Sequence, residues 1–276
     1  MTEGKTPAGS LPPLLLVGCG QMGGAMLAGW LADGLAPSVI LDRHRDDIPA
    51  PHGVVRQASD LPDDFAPALV ILATKPQKAA EILPSIAHFA RRAPILSVMA
   101  GKTVGGLTAA LAEAGTPGAT VIRAMPNTPS AVGRGMTVCF APPTATEADR
   151  ALCTRLLSAV GDVAWVADEA QMDAVTAVSG SGPAYVFLLA ELMEQAGIAQ
   201  GLPADLARRI ARRTVSGAGA LMEQSGIDAA ELRRRVTSPG GTTQQALEVL
   251  MAPQAWPATM EQAIAAATRR ARELAS

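Results

Sequence analysis

Aromatic side chains are scarce in this chain, and so are lysine and histidine. Aromatic residues make up 3% of its 276 residues, whereas hydrophobic residues as a whole make up 49%. Small and aliphatic side chains, chiefly Ala, Leu, Val and Met, must therefore fill the core, which favours closely packed helices. The length allows one large domain or two ordinary ones.

Neither sign of charge dominates the chain, and cysteine is rare. The net charge is −2 and the isoelectric point is about 6.0, so no basic field is available to attract nucleic acid. The three cysteines, Cys19, Cys139 and Cys153, lack the spacing of a metal site. Their odd and dispersed count is typical of a reducing cytoplasm. We expect a protein that binds neither metal nor nucleic acid.

The beginning of the chain does not resemble a targeting segment. Residues 1–13 are polar with scattered Pro and Gly, and we expect a disordered tail there. No apolar run in the sequence approaches the roughly 18 residues of a membrane span. We therefore expect a soluble cytoplasmic protein that does not enter a membrane.

Apolar runs and helical segments alternate over the first part of the chain. Short buried strands are predicted at 14–17, 39–42, 69–73, 95–98 and 120–123, with later strands at 137–140 and 163–166. This alternation predicts an α/β domain over residues 14–167, built on a doubly wound and mostly parallel sheet.

Only helices are predicted from residue 168 to residue 276. They cover 171–179, 183–200, 203–224, 228–236, 243–251 and 256–274. The second and third are rich in Ala, Leu, Met and Gly, so an isolated domain built from them would be only marginally stable. We expect association into a dimer, and a compact monomeric bundle is the alternative.

A glycine-rich turn follows the first predicted strand and opens a helix. The segment Gly18-Cys19-Gly20-Gln21-Met22-Gly23 has the G-x-G-x-x-G spacing of a dinucleotide site in the structural context that such a site requires. The first glycine makes the tight turn, the second admits the pyrophosphate and the third lets the helix pack on the strand. This segment predicts a nicotinamide dinucleotide cofactor.

The residues after the second predicted strand give conflicting signals about that cofactor. Asp42 stands where an acid usually holds a ribose 2′-hydroxyl, which favours NAD. Arg43, His44 and Arg45 follow at once, and arginines suit a 2′-phosphate. The residues alone leave NADH and NADPH both open.

A second distinctive turn lies in the helical part, over Val236-Thr237-Ser238-Pro239-Gly240-Gly241-Thr242-Thr243. Pro239 ends one helix, the two glycines permit unusual backbone angles, and Thr242 or Thr243 can cap the next helix. Such a turn exposes backbone N–H groups at a helix N-terminus, where a carboxylate can bind. The alternative is an ordinary corner between two helices.

Three segments in this order resemble the pyrroline-5-carboxylate reductases. They are the fingerprint, the segment Ala177-Val178-Ser179-Gly180-Ser181-Gly182-Pro183-Ala184-Tyr185 and the turn that ends at Thr243. The resemblance implies a Rossmann-type domain followed by a helical dimerisation domain like that of 6-phosphogluconate dehydrogenase. It also implies reduction of 1-pyrroline-5-carboxylate to L-proline, NADPH as the preferred cofactor with NADH possible, and a dimer or a larger oligomer of dimers.

The resemblance also implies which residues contact the cofactor. These residues include the fingerprint residues and also Asp42 and Arg43. The other expected cofactor contacts lie at the ends of the third, fourth and fifth strands: Ala73, Thr74, Lys75, Pro76, Met99, Ala100 and Asn127. Asn127 offers free donors and acceptors in a loop that two prolines stiffen.

The substrate pocket implied by the resemblance lies on the helical domain. Its members are Ser181, Gly182, Ser238, Gly240, Gly241, Thr242 and Thr243. The amides of Gly241, Thr242 and Thr243 would hold the substrate carboxylate, and the Thr243 hydroxyl would bond the ring nitrogen as the one catalytic side chain. The chain departs from the family pattern at Met251-Ala252-Pro253, where an acidic residue is usual.

The distribution of lysine agrees with imine chemistry. No lysine follows Lys102, whereas dehydrogenases of the same domain plan that act on alcohols need a lysine on the helical domain. Ketone reduction needs a proton donor at oxygen, but a protonated imine is already electrophilic. A reductase of another cyclic imine and a non-catalytic dinucleotide-binding regulator are the alternatives. The role of Arg235, near the turn, stays open.

Overall fold

A computed structural model describes residues 11–62 and 64–275. The described chain divides into two compact units, one ending at Gly180 and also containing residues from Thr268 on, the other comprising Ser181–Ala267. These limits differ from the predicted domain limits of 14–167 and 168–276, which stay a prediction.

The first unit contains an eight-stranded sheet. Its strands are β1 (Leu14–Val17), β2 (Val39–Leu41), β3 (Gly53–Val55), β4 (Leu69–Leu72), β5 (Ile95–Ser97), β6 (Val121–Met125), β7 (Gly135–Phe140) and β8 (Gly161–Val166). The order is β3-β2-β1-β4-β5-β6-β7-β8, and every pairing is parallel except that of β6 with β7. The predicted mostly parallel sheet is confirmed, while β3 was missed because Gly53–Val55 is short and partly exposed.

Helices cover both faces of this sheet. The first unit contains α1 (Gln21–Ala32), α2 (Ala79–Ala90), α3 (Val104–Glu113), α4 (Glu147–Ser158) and α5 (Met172–Val175), which continues as a π-helical segment at Thr176–Gly180. Short 3₁₀ segments lie at Ala58–Asp60, Pro76–Lys78, Thr128–Val132 and Glu169–Gln171.

Successive residues of β1 belong to two different core clusters. Leu14 and Leu16 pack with α1 and α4 residues such as Trp30, whereas Leu15 and Val17 pack with α2 and α3 residues such as Phe89. This alternation is the pleat of a strand that is buried on both faces. It places the carboxyl end of β1, and the fingerprint that follows, between two well-packed layers.

The end of the predicted N-terminal tail is ordered. Residues 1–10 lie outside the described residues, but Leu11 is only 1% exposed and forms a bridge with Leu35. The prediction of disorder is therefore wrong for residues 11–13, because an apolar side chain there extends the core beyond the first strand.

The second unit is helical. It contains α6 (Gly182–Ala199), α7 (Ala204–Ser225), α8 (Ala229–Arg235), α9 (Thr242–Leu250) and the first part of α10 (Trp256–Ala275). Helices α6 and α7 form its main packing contact, where Gly197 lets Leu202 and Ala207 approach closely.

Helix α6 exposes a large apolar surface. Phe187 is 67% exposed, and Val186, Leu188 and Leu192 are each about half exposed. An 18-residue window within the helical stretch Glu169–Ala199 has a mean hydropathy of 1.3, so this stretch is long and apolar enough for a membrane span by length and composition alone. The expectation that no such run exists is therefore wrong. A single stretch of this kind is weak evidence for a membrane, and an apolar surface of this size also marks protein–protein contacts.

Gly161→Ala should destabilise the first unit strongly. Gly161 has φ +151°, and an added Cβ would lie 1.9 Å from the Gly135 carbonyl oxygen in the neighbouring strand. We expect a loss of about 3 kcal/mol or more in the free energy of unfolding, measured by urea denaturation. Gly118→Ala is the matched control, since Gly118 has φ +79° but open space around it, and about 1 kcal/mol is expected there. Equal losses would show that the backbone angle, not the contact with β7, governs the cost.

Candidate active site

The fingerprint turn brings β1, α1 and the end of β4 into close contact. Gly18 has φ +91°, and a Cβ there would lie 2.6 Å from Cγ2 of Thr74. A Cβ on Gly23 would lie 2.2 Å from the Gly18 carbonyl oxygen, whereas a Cβ on Gly20 would meet nothing within 4 Å. Gly18 and Gly23 thus make the turn and the helix contact, and Gly20 leaves open space at the N-terminus of α1.

The carboxylate of Asp42 binds the fingerprint loop itself. Its Oδ2 accepts a hydrogen bond from the Cys19 N–H at 2.7 Å, and its Oδ1 accepts one from the His44 N–H at 2.8 Å. Partial burial favours a higher pKa for Asp42, but these amides outweigh it and hold the pKa below the ordinary value of 3.8. Asp42 is therefore charged at neutral pH and couples β2 to the turn after β1.

A cavity of about 390 Å³ opens beside this carboxylate. Its lining includes Gly18 and Thr74 from the strand ends and three cationic side chains, Arg43, Arg56 and Lys78. Glu81 on α2 pairs with both Arg43 and Lys78. The cavity has the position that a doubly wound fold provides for the adenosine half of a dinucleotide.

The predicted residues at the ends of β4 and β5 have different environments. Thr74 has a buried hydroxyl for which no hydrogen-bond partner is found among the described residues. Lys75 is exposed, and Pro76 opens the 3₁₀ turn before α2. The Met99 side chain is 1% exposed and belongs to the core, so only its backbone can face a ligand. Ala100 is exposed.

Asn127 already has partners within the first unit. Its Nδ2 donates to the Ser179 hydroxyl at 3.3 Å, and its Oδ1 accepts from the Met136 N–H at 2.9 Å. The expectation of free donors and acceptors is therefore wrong for one N–H of Nδ2 and one acceptor site of Oδ1. The side chain instead connects the loop after β6 to the π-helical segment and to β7.

The turn before α9 differs in detail from its prediction. Gly240 has φ +71°, its N–H donates to Gln244 Oε1 at 2.7 Å, and the Gly241 N–H donates to the Ser238 carbonyl at 3.0 Å. Gly241 is the N-cap, so neither Thr242 nor Thr243 caps the helix. The amides of Thr242 and Thr243 are open to a ligand at this N-terminus, whereas the Gly241 amide is already used in the turn.

The other predicted substrate residues lie at the start of α6. Ser181 is the N-cap position but its side chain makes no capping hydrogen bond, and Gly182 is the first helical residue, with Pro183 next. Both Ser181 and Gly182 are partly exposed. In the region of α8, Arg235 pairs with Glu231 at 2.9 Å, and Arg234 shares the same carboxylate at 2.7 Å.

Comparisons with known proteins cover both parts of the chain. Residues 169–274 match a family model described as pyrroline-5-carboxylate reductase dimerisation, and residues 14–101 match one described as NADP oxidoreductase, coenzyme F420-dependent. A pyrroline-5-carboxylate reductase from Pseudomonas aeruginosa is 37% identical, with 96% of this chain and 98% of that protein covered. One from Synechocystis is 36% identical, with 94% and 97% covered.

The chain belongs to the pyrroline-5-carboxylate reductase family. A solved structure of such a reductase from Coxiella burnetii has a TM-score of 0.87 at 30% identity, covering 96% of this chain and 99% of that one. The Plasmodium falciparum enzyme, solved with NADP bound, has a TM-score of 0.81 at 24% identity, with 97% and 99% covered, and shows the fold alone. The predicted family, the Rossmann-type domain and the helical C-terminal domain are confirmed.

One buried ion pair was not predicted from the sequence. Arg123 in β6 is 2% exposed, and its Nη1 lies 3.1 Å from Oε1 of Glu169, which also accepts from the Val104 N–H at 2.8 Å. The pair connects β6, α3 and the segment before α5. A charged residue inside the apolar run Val121-Ile122-Arg123 was the available signal, since a buried arginine needs an acidic partner.

Asp42→Asn should destabilise the protein in a pH-dependent way. The folded-state pKa of Asp42 is lowered, so its stabilising contribution is complete above the ordinary value of 3.8 and is lost as pH falls through the folded-state value. We expect the variant to lose about 1–2 kcal/mol at neutral pH, because a neutral amide accepts only one of the two hydrogen bonds.

Urea unfolding at successive pH values tests this expectation. The difference between variant and parent should stay constant through mild acid and shrink below the ordinary pKa. Asp33→Asn, at the exposed C-terminus of α1, is the charge-matched control and should stay within about 0.5 kcal/mol. A difference for Asp42→Asn that persists unchanged at the lowest pH would contradict the electrostatic origin.

Proposed function

We propose that this protein reduces 1-pyrroline-5-carboxylate to L-proline by hydride transfer from NADPH, the final step of proline biosynthesis, with NADH as a possible substitute. The observation that carries the proposal is the similarity to curated reductases over nearly the full length, since it includes both the fingerprint unit and the helical unit.

The residues of the first unit fit a dinucleotide. The open space at Gly20 lies at the N-terminus of α1, where a pyrophosphate is stabilised by first-turn amides. The Cγ2 methyl of Thr74 lies beside Gly18, and Thr74 lines the cavity next to this turn. The cavity beside Asp42 and Arg43 would hold the adenosine half. When bound, NADPH supplies the hydride.

The remaining cofactor contacts are proposed from the family resemblance. Cys19, Gln21 and Met22 complete the fingerprint, and the strand-end residues expected to line the cofactor are Ala73, Lys75, Pro76, Met99, Ala100 and Asn127. Because Asn127 and Met99 are engaged inside the unit, Asn127 would act mainly by holding its loop and Met99 through its backbone.

The turn before α9 would hold the substrate carboxylate. The amides of Thr242 and Thr243 lie at the positive end of a nine-residue helix, with Ser238, Gly240 and Gly241 forming the turn. Ser181 and Gly182 would form part of the pocket wall. The protonated imine needs no acid, because hydride addition to its carbon turns the C=N⁺ bond into an amine and cancels the positive charge. The Thr243 hydroxyl would orient the ring nitrogen, and positioning then supplies most of the rate.

Self-association follows from the match to the dimerisation family, and we propose a dimer or an oligomer of dimers. The apolar surface of α6 supports this, since Phe187, Leu188 and Leu192 would leave water in such a contact. We also propose a cytoplasmic location, supported by three cysteines that are all free and buried.

Turnover with purified protein tests the proposed reaction. We expect oxidation of NADPH, followed by its near-ultraviolet absorbance, only when pyrroline-5-carboxylate is present, and we expect L-proline as the product. Tight NADPH binding without turnover would favour a regulator, and faster turnover of a six-membered imine acid would favour another substrate.

Thr243→Ala should lower kcat/KM for pyrroline-5-carboxylate by about 10- to 100-fold, the effect of losing one hydrogen bond to a charged group. The fold and the cofactor affinity should be unchanged, as judged by thermal unfolding and by NADPH titration. Thr259→Ala, on an exposed face of α10, is the matched control. Parent-like kinetics in Thr243→Ala would remove Thr243 from its proposed role.

A further inference from the structure

Three cationic side chains converge at the cavity beside the end of β2. Arg43 follows the strand directly, Arg56 comes from the segment after β3, and Lys78 comes from the turn before α2. In a doubly wound fold the adenosine ribose lies at this position, so these cations surround the place of a ribose 2′-phosphate. A role for these cations in cofactor binding rests on the proposed function.

Glu81 occupies the centre of this cluster. Its Oε1 pairs with Nη2 of Arg43, and its Oε2 lies 2.7 Å from Nζ of Lys78. Hydrogen bonds from Lys78 and then Arg43 hold the pKa of Glu81 below its usual value, so the carboxylate is charged at neutral pH. The single negative charge of Glu81 thus offsets half of the combined positive charge of Arg43 and Lys78. It also occupies N–H donors of both side chains that a phosphate would need.

The third cation is restrained separately. Arg56 donates to the Arg43 carbonyl at 2.7 Å and pairs with Asp46. It therefore restrains the backbone of Arg43, and among the described residues its ion pair is with Asp46 and not with Glu81. Arg43 and Lys78 are consequently the two cations whose availability depends on Glu81.

The acid that usually reads the ribose is engaged elsewhere. Both carboxylate oxygens of Asp42 accept hydrogen bonds from backbone amides, those of Cys19 and His44. Asp42 therefore holds the fingerprint loop through one acceptor site on each oxygen, and the cation cluster supplies the groups that can respond to a 2′-phosphate.

We propose that Glu81 is a specificity-determining residue for the cofactor: it competes with a ribose 2′-phosphate for Arg43 and Lys78, and so reduces the preference of this protein for NADPH over NADH. A phosphate would displace Glu81 from both cations, whereas an unphosphorylated ribose would leave the pairing intact. The Glu81 carboxylate therefore lowers the affinity only for the ligand that carries a 2′-phosphate.

The test measures binding of two cofactor fragments to the full chain by calorimetry. Adenosine 2′,5′-bisphosphate carries the 2′-phosphate, and adenosine 5′-monophosphate lacks it. For Glu81→Gln we expect about three- to tenfold tighter binding of the bisphosphate, as screened Coulomb attraction at this range implies, and unchanged binding of the monophosphate. The ratio of KM for NADH to KM for NADPH should rise in parallel. Glu113→Gln, exposed at the end of α3, is the charge-matched control and should change neither fragment.

The other outcomes overturn the proposal in distinguishable ways. Equal tightening of both fragments would mean a general field effect, and unchanged or weaker bisphosphate binding would mean that Glu81 only positions Arg43 or supports the first turn of α2. If the parent protein binds neither fragment, the placement of the cofactor fails together with this proposal. If both fragments bind as expected but pyrroline-5-carboxylate is not reduced, the proposed reaction fails while the role of Glu81 stands.

Discussion

The close approach of α1 to β1 is the constraint on which the rest of the first unit depends. With no side chain at Gly23, the helix packs directly on the carbonyl of Gly18, closer than any Cβ would allow. That contact directs the N-terminus of α1 toward the carboxyl edge of the sheet, and the neighbouring contact between Gly18 and Thr74 positions the end of β4. The carboxylate of Asp42 then binds the Cys19 amide, so three strand ends are held around one cavity.

The contribution of each ion pair in this unit depends on how deeply its side chains are buried. Arg123 and Glu169 form a pair in which Arg123 is nearly inaccessible, and loss of one partner would leave the other charge without compensation. Arg43, Lys78 and Glu81 are about half exposed, so their pairing contributes little to stability and can be exchanged for a ligand. The first arrangement is suited to holding a loop in place, and the second to recognition.

The helical unit combines a small polar turn with extensive apolar exposure. The turn before α9 uses the amides of Gly240 and Gly241 internally and leaves the first-turn amides of the helix, those of Thr242 and Thr243 among them, without an intrahelical acceptor. Several apolar side chains of α6 are about half exposed or more in the described part of the chain, which agrees with the dimerisation family that these residues match. Few large side chains are available to fill a core there, so association compensates for what the chain cannot bury alone.

The fingerprint, the alternation of strands and helices, and the glycine turn could be predicted from the amino-acid sequence, because each depends on backbone angles and periodicity that neighbouring residues set. The hydrogen-bond and ion-pair partners of polar side chains could not be predicted in this way and are visible only in the folded chain. Asn127 bonds Ser179 and Met136, Arg123 pairs with Glu169, and Glu81 lies between Arg43 and Lys78. These partners are distant along the chain or lie across a turn, so their contacts follow from the packing of separate elements and not from local pattern.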